Sequence, residues 1–479
     1  MSNERFIVIG ITDAPRPWFS PEVLEIIKNG RVFSGGKRHH EIVAPLLPAD
    51  AEWIDITVPL DGVFEQYRSC AMMAKGQESL PSRGSEGNSG LTVSQSAQSD
   101  RSISLMQRTA NLEGSSLIVF ASGDPLFFGF ANTLRREFPN AEIQVFPTFN
   151  SLQMLAHRLV MPYHDMRIVS LTGRPWPEFD RALIERAAKI GVLTDKVHTP
   201  AAIAQRMLDY GYTHYMMHVG EHLGNPEKEK VTTLTLEEAA GKEFAMPNCV
   251  ILRPTPPVGH PSREGRGEEC IADGFGGGRV RSFALPDSAF SLLDGREKMI
   301  TKMPIRLLTL QALDLPHRKV FWDIGFCTGS ISIEARLLFP HLHIEAFEIR
   351  PECEAIIHEN VRKFGAPGIN VHIGDFLATP LPSREGSGVG LPDAVFIGGH
   401  GGKLKEMMAK VVKVLAPGGV MVMNSVTSPI VEQMTNHRSS SRQLWDEACA
   451  ELGLHQEPPL RIQLNDYNPI EILKAIKND

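Results

Sequence analysis

The residues best suited to chemistry lie past the middle of the chain, where an apolar run ends in an acid and a glycine-rich turn. Residues 321–330 read Phe-Trp-Asp-Ile-Gly-Phe-Cys-Thr-Gly-Ser. Asp323 stands near the end of a predicted strand, and a predicted helix begins at Ser330. Glycines let the backbone approach a ligand, and a helix N-terminus offers unpaired N–H donors. The stretch therefore predicts a nucleotide-shaped pocket at the carboxyl end of a strand.

Alternating elements surround this turn and would position it. Strands are predicted at 320–324, 344–348, 370–374, 394–397 and 420–424, and helices at 305–313, 330–338, 351–364 and 404–414. Strands that alternate with helices indicate an α/β domain with a doubly wound parallel sheet.

The first half of the chain repeats the α/β pattern. Strands are predicted at 6–11, 117–122, 143–146, 168–171, 216–219 and 249–252, with a helix at 21–29 among the intervening segments. A chain of 479 residues is too long for one hydrophobic core. We therefore expect one α/β domain over 1–254, a flexible linker over 255–283, and a second α/β domain over 284–479.

Three segments lack the apolar periodicity of a packed element. They are residues 80–111, residues 260–278 within the predicted linker, and residues 382–390. Each contains the sequence Pro-Ser-Arg. Their Ser- and Gly-rich composition indicates surface insertions without a packed structure. The alternative is a recognition motif presented three times.

Bulk composition narrows the class of protein. The chain is 42% hydrophobic and 22% charged, which is typical of a globular protein, and its net charge is −7. A negative chain argues against nucleic acid as a partner. The six cysteines are scattered without a CxxC pair, which predicts a cytoplasmic location and no bound metal. We see no signal peptide and no run long enough to cross a membrane, so no membrane partner is expected.

Two further acids extend the pocket predicted around Asp323. Glu348 ends the next strand, where a carboxylate suits two ribose hydroxyls, and Asp375 follows the strand after that. The set resembles the Rossmann-like S-adenosylmethionine (SAM) methyltransferases, whose first motif usually reads Asp-x-Gly-x-Gly-x-Gly. The resemblance implies that SAM is bound by Asp323, Gly325, Cys327, Gly329, Glu348 and Asp375. NAD is the competing cofactor, but the phosphate-binding pattern Gly-x-Gly-x-x-Gly is absent, which favours SAM.

Cys327 departs from that motif, because it stands where the family has its middle glycine. We expect either that the turn accepts a side chain there with φ below zero, or that the pocket is slightly recast.

Three further segments of this domain indicate a more specific family of methyltransferases. Residues 300–306 read Ile-Thr-Lys-Met-Pro-Ile-Arg, residues 392–399 read Pro-Asp-Ala-Val-Phe-Ile-Gly-Gly, and residues 468–472 read Asn-Pro-Ile-Glu-Ile. They resemble the carbon-15 methyltransferase domain of cobalamin biosynthesis, although Pro304 replaces the glutamate usual in its opening motif. The resemblance implies catalytic or substrate-side roles for Thr301, Lys302, His400 and Asn424. Among these, His400 is interpreted as a base that removes a proton after methylation.

A second set of motifs lies in the first half. Gly-Asp-Pro at 123–125, followed by Gly129, resembles a SAM-contacting motif of the tetrapyrrole methyltransferases, which have a two-lobed α/β fold. With residues 35–39, 148–151, 171–174 and 220–224, the set resembles the carbon-5 methyltransferase of the same pathway. The resemblance implies SAM binding by Gly123, Asp124, Pro125, Gly129, Asn150 and Ser151.

Two positions of the first half depart from the tetrapyrrole family. Residues 10–15 read Gly-Ile-Thr-Asp-Ala-Pro, where the family usually has Gly-x-Gly-Pro-Gly-Asp, and Thr172 replaces a frequent histidine.

A basic run, Lys37, Arg38 and His39, supports two interpretations. It is either a solvated loop or a site that pairs with the carboxylates of a tetrapyrrole substrate.

Taken together, the chain resembles the fused carbon-5 and carbon-15 methyltransferases of cobalamin (vitamin B12) biosynthesis. The resemblance implies SAM-dependent methylation of both carbons of precorrin-6B or precorrin-6Y, or of their cobalt equivalents, with decarboxylation of the ring C acetate. It also implies a homo-oligomer. Two alternatives remain open: an RNA or protein methyltransferase with an N-terminal recognition module, and a SAM-binding sensor without catalytic activity.

Overall fold

The computed structural model describes residues 4–77, 116–255, 284–380, 390–426, 440–464 and 468–478. The predicted insertion at 80–111, the predicted linker from residue 256 to 283 and residues 382–389 of the third segment lie outside the described residues. Among the residues described, no helix is long and apolar enough to span a membrane.

The first sheet is fully parallel. Its strands are β1 (Arg5–Ile11), β2 (Val32–Gly35), β3 (Glu52–Asp55), β4 (Leu117–Ser122) and β5 (Glu142–Phe146), in the order β3-β2-β4-β1-β5. The helices of this lobe are α1 (Pro21–Asn29), α2 (Lys37–Val43), α3 (Asp61–Gln77) and α4 (Phe130–Glu137). β1 is buried along nearly its whole length, as its unbroken apolar sequence requires of a strand covered on both faces. The carboxyl ends of β1 and β4 therefore meet at one edge of the sheet.

The second sheet is mixed. It contains β6 (Met166–Ser170), β7 (Lys189–Leu193), β8 (Tyr215–Glu221), β9 (Lys230–Thr235) and β10 (Asn248–Pro254), in the order β6-β7-β10-β8-β9. β6 and β7 are parallel, whereas β10 is antiparallel to both β7 and β8. The accompanying helices are α5 (Ser151–Arg158), α6 (Pro177–Ile184), α7 (Pro200–Asp209) and α8 (Leu236–Ala240). The two sheets form the two lobes predicted for the first half.

The third sheet lies in the second half of the chain. Its strands are β11 (Val320–Ile324), β12 (His343–Glu348), β13 (Ile369–Ile373), β14 (Ala394–Ile397), β15 (Val420–Val426), β16 (His455–Gln456), β17 (Leu460–Ile462) and β18 (Ile470–Ile476). Its helices are α9 (Met303–Ala312), α10 (Ser330–Leu338), α11 (Glu352–Phe364), α12 (Leu404–Val412) and α13 (Ser441–Leu452). The order is β13-β12-β11-β14-β15-β18-β16, with β17 also paired to β18.

The predicted parallel sheet runs from β13 to β15 in this third sheet, and antiparallel strands extend it at one end. β11 to β15 are parallel, but β18 runs antiparallel to β15 and to β17. A parallel neighbour needs a long crossover connection, and β18 follows β17 too closely for one. The α/β class itself is as predicted.

The two halves of the chain touch through the second lobe of the first half. The hydroxyl of Tyr212 donates a hydrogen bond of 2.9 Å to the carbonyl oxygen of Gly365, at the end of α11. Asp180 lies buried beside this contact and pairs with Arg206 at 2.6 Å. Tyr210 packs against the apolar cluster that α11 contributes to.

Candidate functional site

A cavity of about 890 Å³ opens at the carboxyl ends of β11, β12 and β14. The cavity brings together nearly all residues that the sequence predicted for the site of the second half. Those that line it are Thr301, Lys302, Asp323, Gly325, Cys327, Glu348, Asp375, His400 and Asn424. Such a crevice, outside the carboxyl ends of parallel strands, is where α/β folds bind ligands.

Gly325 must be a glycine for two separate reasons. Its φ is +81°, and a Cβ atom there would lie 2.7 Å from the backbone nitrogen of Gly399. The loop after β14 is fixed close to this turn by a 2.7 Å hydrogen bond from the Gly398 N–H to the Ile324 carbonyl oxygen. The turn and the β14 loop therefore form one wall of the cavity.

Gly329 is the predicted cofactor residue that the structure leaves outside the cavity lining. It precedes α10 with φ +72°, and a Cβ atom there would lie 2.5 Å from the Ile357 side chain. Its contact with α11 supports a packing role, because only a glycine lets the two elements approach so closely.

Cys327 contradicts the expectation of a negative φ, since its φ is +51°. Its backbone N–H donates a 3.0 Å hydrogen bond to Glu348 Oε2, which helps to hold this left-handed conformation. The thiol packs in a buried cluster that includes Cys353. The turn thus keeps the backbone shape of the glycine motif and carries a side chain in it.

Asp323 is a buried acid with one unused oxygen. Its Oδ2 accepts a 2.5 Å hydrogen bond from the Ser332 hydroxyl, whereas Oδ1 has no hydrogen-bond partner within the described residues. Burial raises the pKa of Asp323 to about 7, and the nearby charge of Glu348 also raises it, while the bonds from Ser332 oppose the shift. A cationic ligand in the cavity would favour the ionised form of this carboxyl group.

Glu348 is already fully engaged by its own chain. Arg350 holds it with two hydrogen bonds, from Nε at 3.0 Å and from Nη2 at 2.8 Å. Its oxygens also accept from the backbone N–H groups of Cys327, Ile349 and Arg350. Burial alone would raise the pKa of Glu348, but the Arg350 bonds outweigh it and hold the pKa below its usual value. A ribose would therefore have to displace Arg350, which the sequence did not single out.

Asp375 lies at the exposed side of the cavity. Its Oδ1 accepts a 2.9 Å hydrogen bond from the Leu377 N–H, and its Oδ2 lies 3.3 Å from Lys403 Nζ. These contacts leave the carboxylate ionised and accessible, because the Leu377 bond and then Lys403 lower its pKa.

His400 uses both ring nitrogens within the protein. The Gly402 N–H donates to Nδ1 at 3.1 Å, so the ring proton lies on Nε2, which is 3.0 Å from the Ser441 hydroxyl oxygen. Burial lowers the pKa of His400, which keeps the ring neutral. Acting as a base would require His400 to break one of these two contacts.

The substrate-side residues are anchored by Arg306, which the sequence did not predict as a site residue. Arg306 is completely buried, pairs with Glu334 at 2.7 Å, and donates a 2.8 Å hydrogen bond to the Thr301 carbonyl oxygen. The signal for it was its place at the end of the Ile-Thr-Lys motif. Pro304, which departs from the family pattern, occupies the first turn of α9, where no N–H donor is needed.

Asn424 and Lys302 complete this side of the cavity. The Asn424 amide and the Thr309 hydroxyl form hydrogen bonds of 3.0 Å and 3.1 Å, which fix the amide at the end of β15. Lys302 Nζ donates a 2.9 Å hydrogen bond to the Glu297 carbonyl oxygen.

In the first half, the predicted cofactor motif at 123–125 lies against residues 10–15. These residues form the turn after β1, where the sequence differs from the family pattern. A Cβ atom on Gly10 would come 2.3 Å from the Gly123 carbonyl oxygen, so the loops after β1 and β4 are in close contact. Gly123 itself has φ +61°, and its N–H donates a 2.8 Å hydrogen bond to the Ile11 carbonyl oxygen. The substitution pattern at 10–15 therefore leaves this close approach intact.

The other predicted cofactor residues of the first half shape the same loops. Asp124 Oδ1 accepts a hydrogen bond of 2.9 Å from the Leu126 N–H. A Cβ atom on Gly129 would lie 2.4 Å from the carbonyl oxygen of Pro125. Asn150 caps α5, which begins at Ser151, by accepting a 2.9 Å bond from the Gln153 N–H.

The basic run 37–39 is not a solvated loop but the first turn of α2. Lys37 is exposed, whereas Arg38 pairs with Asp13 at 2.7 Å. His39 Nε2 lies 2.9 Å from the Ser122 hydroxyl oxygen. Burial, and then the charge of Arg38, lower the pKa of His39 to about 4. His39 is therefore neutral at pH 7 and offers hydrogen bonds rather than a positive charge.

Both halves match models of methyltransferase families. Residues 5–240 match the tetrapyrrole (corrin/porphyrin) methylases, and residues 293–443 match the precorrin methyltransferase domain. With the cavity described above, these matches define the chain as a SAM-dependent C-methyltransferase.

Curated relatives specify the family. A precorrin-6Y C(5,15)-methyltransferase [decarboxylating] from Sinorhizobium sp is 32% identical over 68% of this chain and 72% of its own length. The chain belongs to this family. A cobalt-precorrin-6B C(15)-methyltransferase (decarboxylating) from Salmonella typhimurium is 30% identical over 37% of this chain and 83% of its own length. A cobalt-precorrin-7 C(5)-methyltransferase from the same organism is 30% identical over 28% of this chain and 65% of its own length.

Proposed function

We propose that this chain methylates carbons 5 and 15 of precorrin-6B or precorrin-6Y, or of their cobalt equivalents, and decarboxylates the ring C acetate. The first half, with boundaries near 1–254, acts on carbon 5. The second half, near 284–479, acts on carbon 15 and carries the decarboxylation. The observation that supports this most is the cavity at the carboxyl end of β11. It is lined both by the turn at Gly325, predicted to bind SAM, and by Thr301 and Asn424, predicted to face the substrate.

SAM supplies an activated methyl group, so the protein has to position two partners and exclude water. In the second half, Asp323 and the Gly325 turn would hold the sulfonium part of SAM, and Glu348 would bind its ribose once Arg350 had moved aside. Asp375 faces the adenine side. The carboxylate of Asp323 suits a cationic ligand because its Oδ1 has no hydrogen-bond partner within the described chain.

The substrate occupies the opposite side of the cavity. Thr301, Lys302 and Asn424 lie there, and Lys302 offers a cation for one of the many carboxylate arms of a corrinoid precursor. The conjugated macrocycle can accept the electrons released when carbon dioxide leaves, so no further cofactor is required. His400 takes the proton only if the Ser441 or Gly402 contact opens.

In the first half, the loops that carry Gly123, Asp124, Pro125 and Gly129 hold the second SAM, together with the Asn150 and Ser151 turn. Arg38 and Lys37 face the carboxylate arms of the substrate. His39 serves as a neutral hydrogen-bonding group there. We further propose that the chain forms a homo-oligomer, which light scattering after gel filtration would test.

The decisive experiment is incubation of the chain with SAM and either metal-free or cobalt-loaded precorrin-6B, with the products read by mass. Two methyl gains with one carbon dioxide loss are the expected result. One methyl gain would show that one half is silent. SAM binding without any methyl gain on either substrate would overturn the proposal and favour a sensor.

Matched variants assign each methyl group to its half. Glu348→Gln removes the charge that orients the ribose in the second half, so the carbon-15 methyl and the decarboxylation should be lost while carbon 5 is still methylated. Gly123→Val blocks the loop of the first half and should give the opposite result. Loss of both methyl groups in both variants would contradict the division of labour.

A further inference from the structure

The two lobes of the first half are joined by a contact between an acid and a histidine. Asp13 follows β1 in the first sheet, and His222 follows β8 in the second. Asp13 Oδ2 lies 3.2 Å from His222 Nδ1, and Asp13 Oδ1 lies 2.7 Å from Arg38 Nη1. The side chain of Asp13 is only 11% exposed and that of His222 20% exposed. Neither residue was singled out from the sequence for this role.

The backbone of His222 is held in a conformation that side chains rarely adopt. Its φ is +48°, which costs a non-glycine residue about 1 kcal/mol. Two backbone bonds fix it there, from its own N–H to the Pro247 carbonyl oxygen at 2.9 Å and from the Asn225 N–H to its own carbonyl oxygen at 3.0 Å. Strain of this kind is retained where the fold gains by aiming a side chain.

The acid sets the state of the imidazole ring. The Asp13 carboxylate, held by Arg38, accepts the hydrogen bond from Nδ1–H of His222, which leaves the lone pair on Nε2. An acid that orients a histidine and leaves its far nitrogen basic is the arrangement used for proton transfer in hydrolase triads.

The pair is also connected to the proposed cofactor loop. Arg38, which holds Asp13, donates through Nη2 to the Ser122 hydroxyl at 3.1 Å. Ser122 immediately precedes the Gly-Asp-Pro motif, and Gly123 is bonded to the strand that leads to Asp13. The loops after β1 and β8, the first turn of α2 and the last residue of β4 thus meet in one network beside the motif.

We propose that His222 accepts the proton that carbon 5 loses after methylation, and that Asp13 is its positioning residue. This inference rests on the proposed function of the first half. A pair of ring π electrons forms the bond from carbon 5 to the methyl carbon, while the S–C bond electrons stay on sulfur. The macrocycle is left as a delocalised cation. Loss of the carbon-5 proton to His222 Nε2 restores the conjugated ring.

The first test replaces His222 with glutamine, which keeps a polar side chain but accepts no proton at neutral pH. The full chain is incubated with SAM and the precorrin substrate that the wild type converts. We expect the turnover number for carbon-5 methylation to fall about 100-fold. Carbon-15 methylation serves as an internal control. His218→Gln is the matched control, because His218 lies on β8 and pairs with the Thr233 hydroxyl of β9.

Two further measurements separate proton transfer from a structural role. Added imidazole should restore carbon-5 methylation to His222→Ala, and it should not increase the rate of the wild type. In spectra of the ¹⁵N-labelled full chain, the His222 ring should carry its proton on Nδ1, and Asp13→Asn should change that signal. Asp13→Asn should lower the turnover number several-fold while leaving the Kd for SAM unchanged.

The outcomes are distinct. A wild-type chain that never methylates carbon 5 would overturn the proposed function of the first half, and the inference with it. A wild type that does so, with His222→Gln retaining its full carbon-5 rate, would overturn the inference alone. Failure of imidazole to restore any activity to His222→Ala would also count against it.

Discussion

Asp323 carries a carboxyl group that burial keeps protonated well above the pH at which an exposed acid ionises. Burial raises its pKa to about 7 from an ordinary value of 3.8. Below pH 4 the group is protonated in both the folded and the unfolded chain, and above pH 7 it is ionised in both. Between these limits only the unfolded chain releases the proton, so the free energy of unfolding falls as pH rises.

We therefore expect the wild-type chain to lose stability relative to Asp323→Asn as pH rises from 5 to 7. The difference should grow by about 1.4 kcal/mol per pH unit and level off above pH 7. Urea unfolding at pH 5, 6, 7 and 8, followed by the fluorescence of the buried Trp322 and Trp445, would measure it. Stability curves for the two proteins that run parallel over this range would contradict the raised pKa.

The left-handed backbone conformation of Cys327 can be tested by substitution, because its φ of +51° favours glycine. Cys327→Gly relieves a backbone cost of about 1 kcal/mol and loses a buried thiol of similar value, so its unfolding free energy should stay within about 1 kcal/mol of the wild type. Cys327→Val places a β-branched side chain at the same φ and should destabilise by about 2 kcal/mol. Calorimetry on both variants would check the order of their unfolding free energies. A valine variant as stable as the glycine variant would contradict the left-handed turn.

At the scale of elements, the bounds of several segments followed directly from the sequence. β11, β14 and α10 begin and end at the predicted residues, because an unbroken apolar run, or a helix start after a glycine turn, is a local signal. β9 was missed because it is an edge strand with a mostly polar sequence, Lys-Val-Thr-Thr-Leu-Thr. β18 was not predicted as a strand, and its antiparallel direction depends on chain connections and not on composition.

Some residues of the site were likewise predictable from the sequence, and others were not. Residues at the carboxyl ends of strands, such as Asp323 and Glu348, were predictable because parallel strands bring these ends to one edge of the sheet. The Arg350 bonds to Glu348 and the Asp13 contact with His222 were not, since side-chain pairing carries no periodic signal. The Asp13 contact also joins residues 209 positions apart.

The turn between β11 and α10 depends on the glycine at position 325. Gly325→Ala adds a Cβ atom 2.7 Å from the Gly399 nitrogen at φ +81°, so it must push the β14 loop away. We expect a loss of about 3 kcal/mol of unfolding free energy and a loss of SAM binding in the second half. Gly295→Ala is the matched control, because Gly295 has φ +69° and no atom of the described residues lies within 4 Å of the added Cβ. It should cost only about 1 kcal/mol, and equal losses in both variants would contradict the close approach.

At the scale of the whole molecule, the contact between the halves contains a buried charge. Arg336 of α10 donates hydrogen bonds to the carbonyl oxygens of Pro367, Pro340 and Leu342, but its Nη2 has no hydrogen-bond partner within the described residues. Burial lowers the pKa of Arg336, and the main opposing influence is the negative charge of Asp180, from the other half. The two halves are therefore coupled by electrostatics as well as by the Tyr212 hydrogen bond.

This coupling predicts that the halves stay together when the chain between them is cut. With a protease site placed within residues 256–283, the cleaved wild type should elute from gel filtration as one species. Asp180→Asn removes the charge opposite Arg336 and should weaken the association at least tenfold, since an uncompensated buried charge costs several kcal/mol. Glu185→Gln is the matched control, because Glu185 pairs on the surface with Arg181 of its own helix. Separation of the cleaved wild-type halves, or equal behaviour of the two variants, would contradict a fixed docking of the two methyltransferase domains.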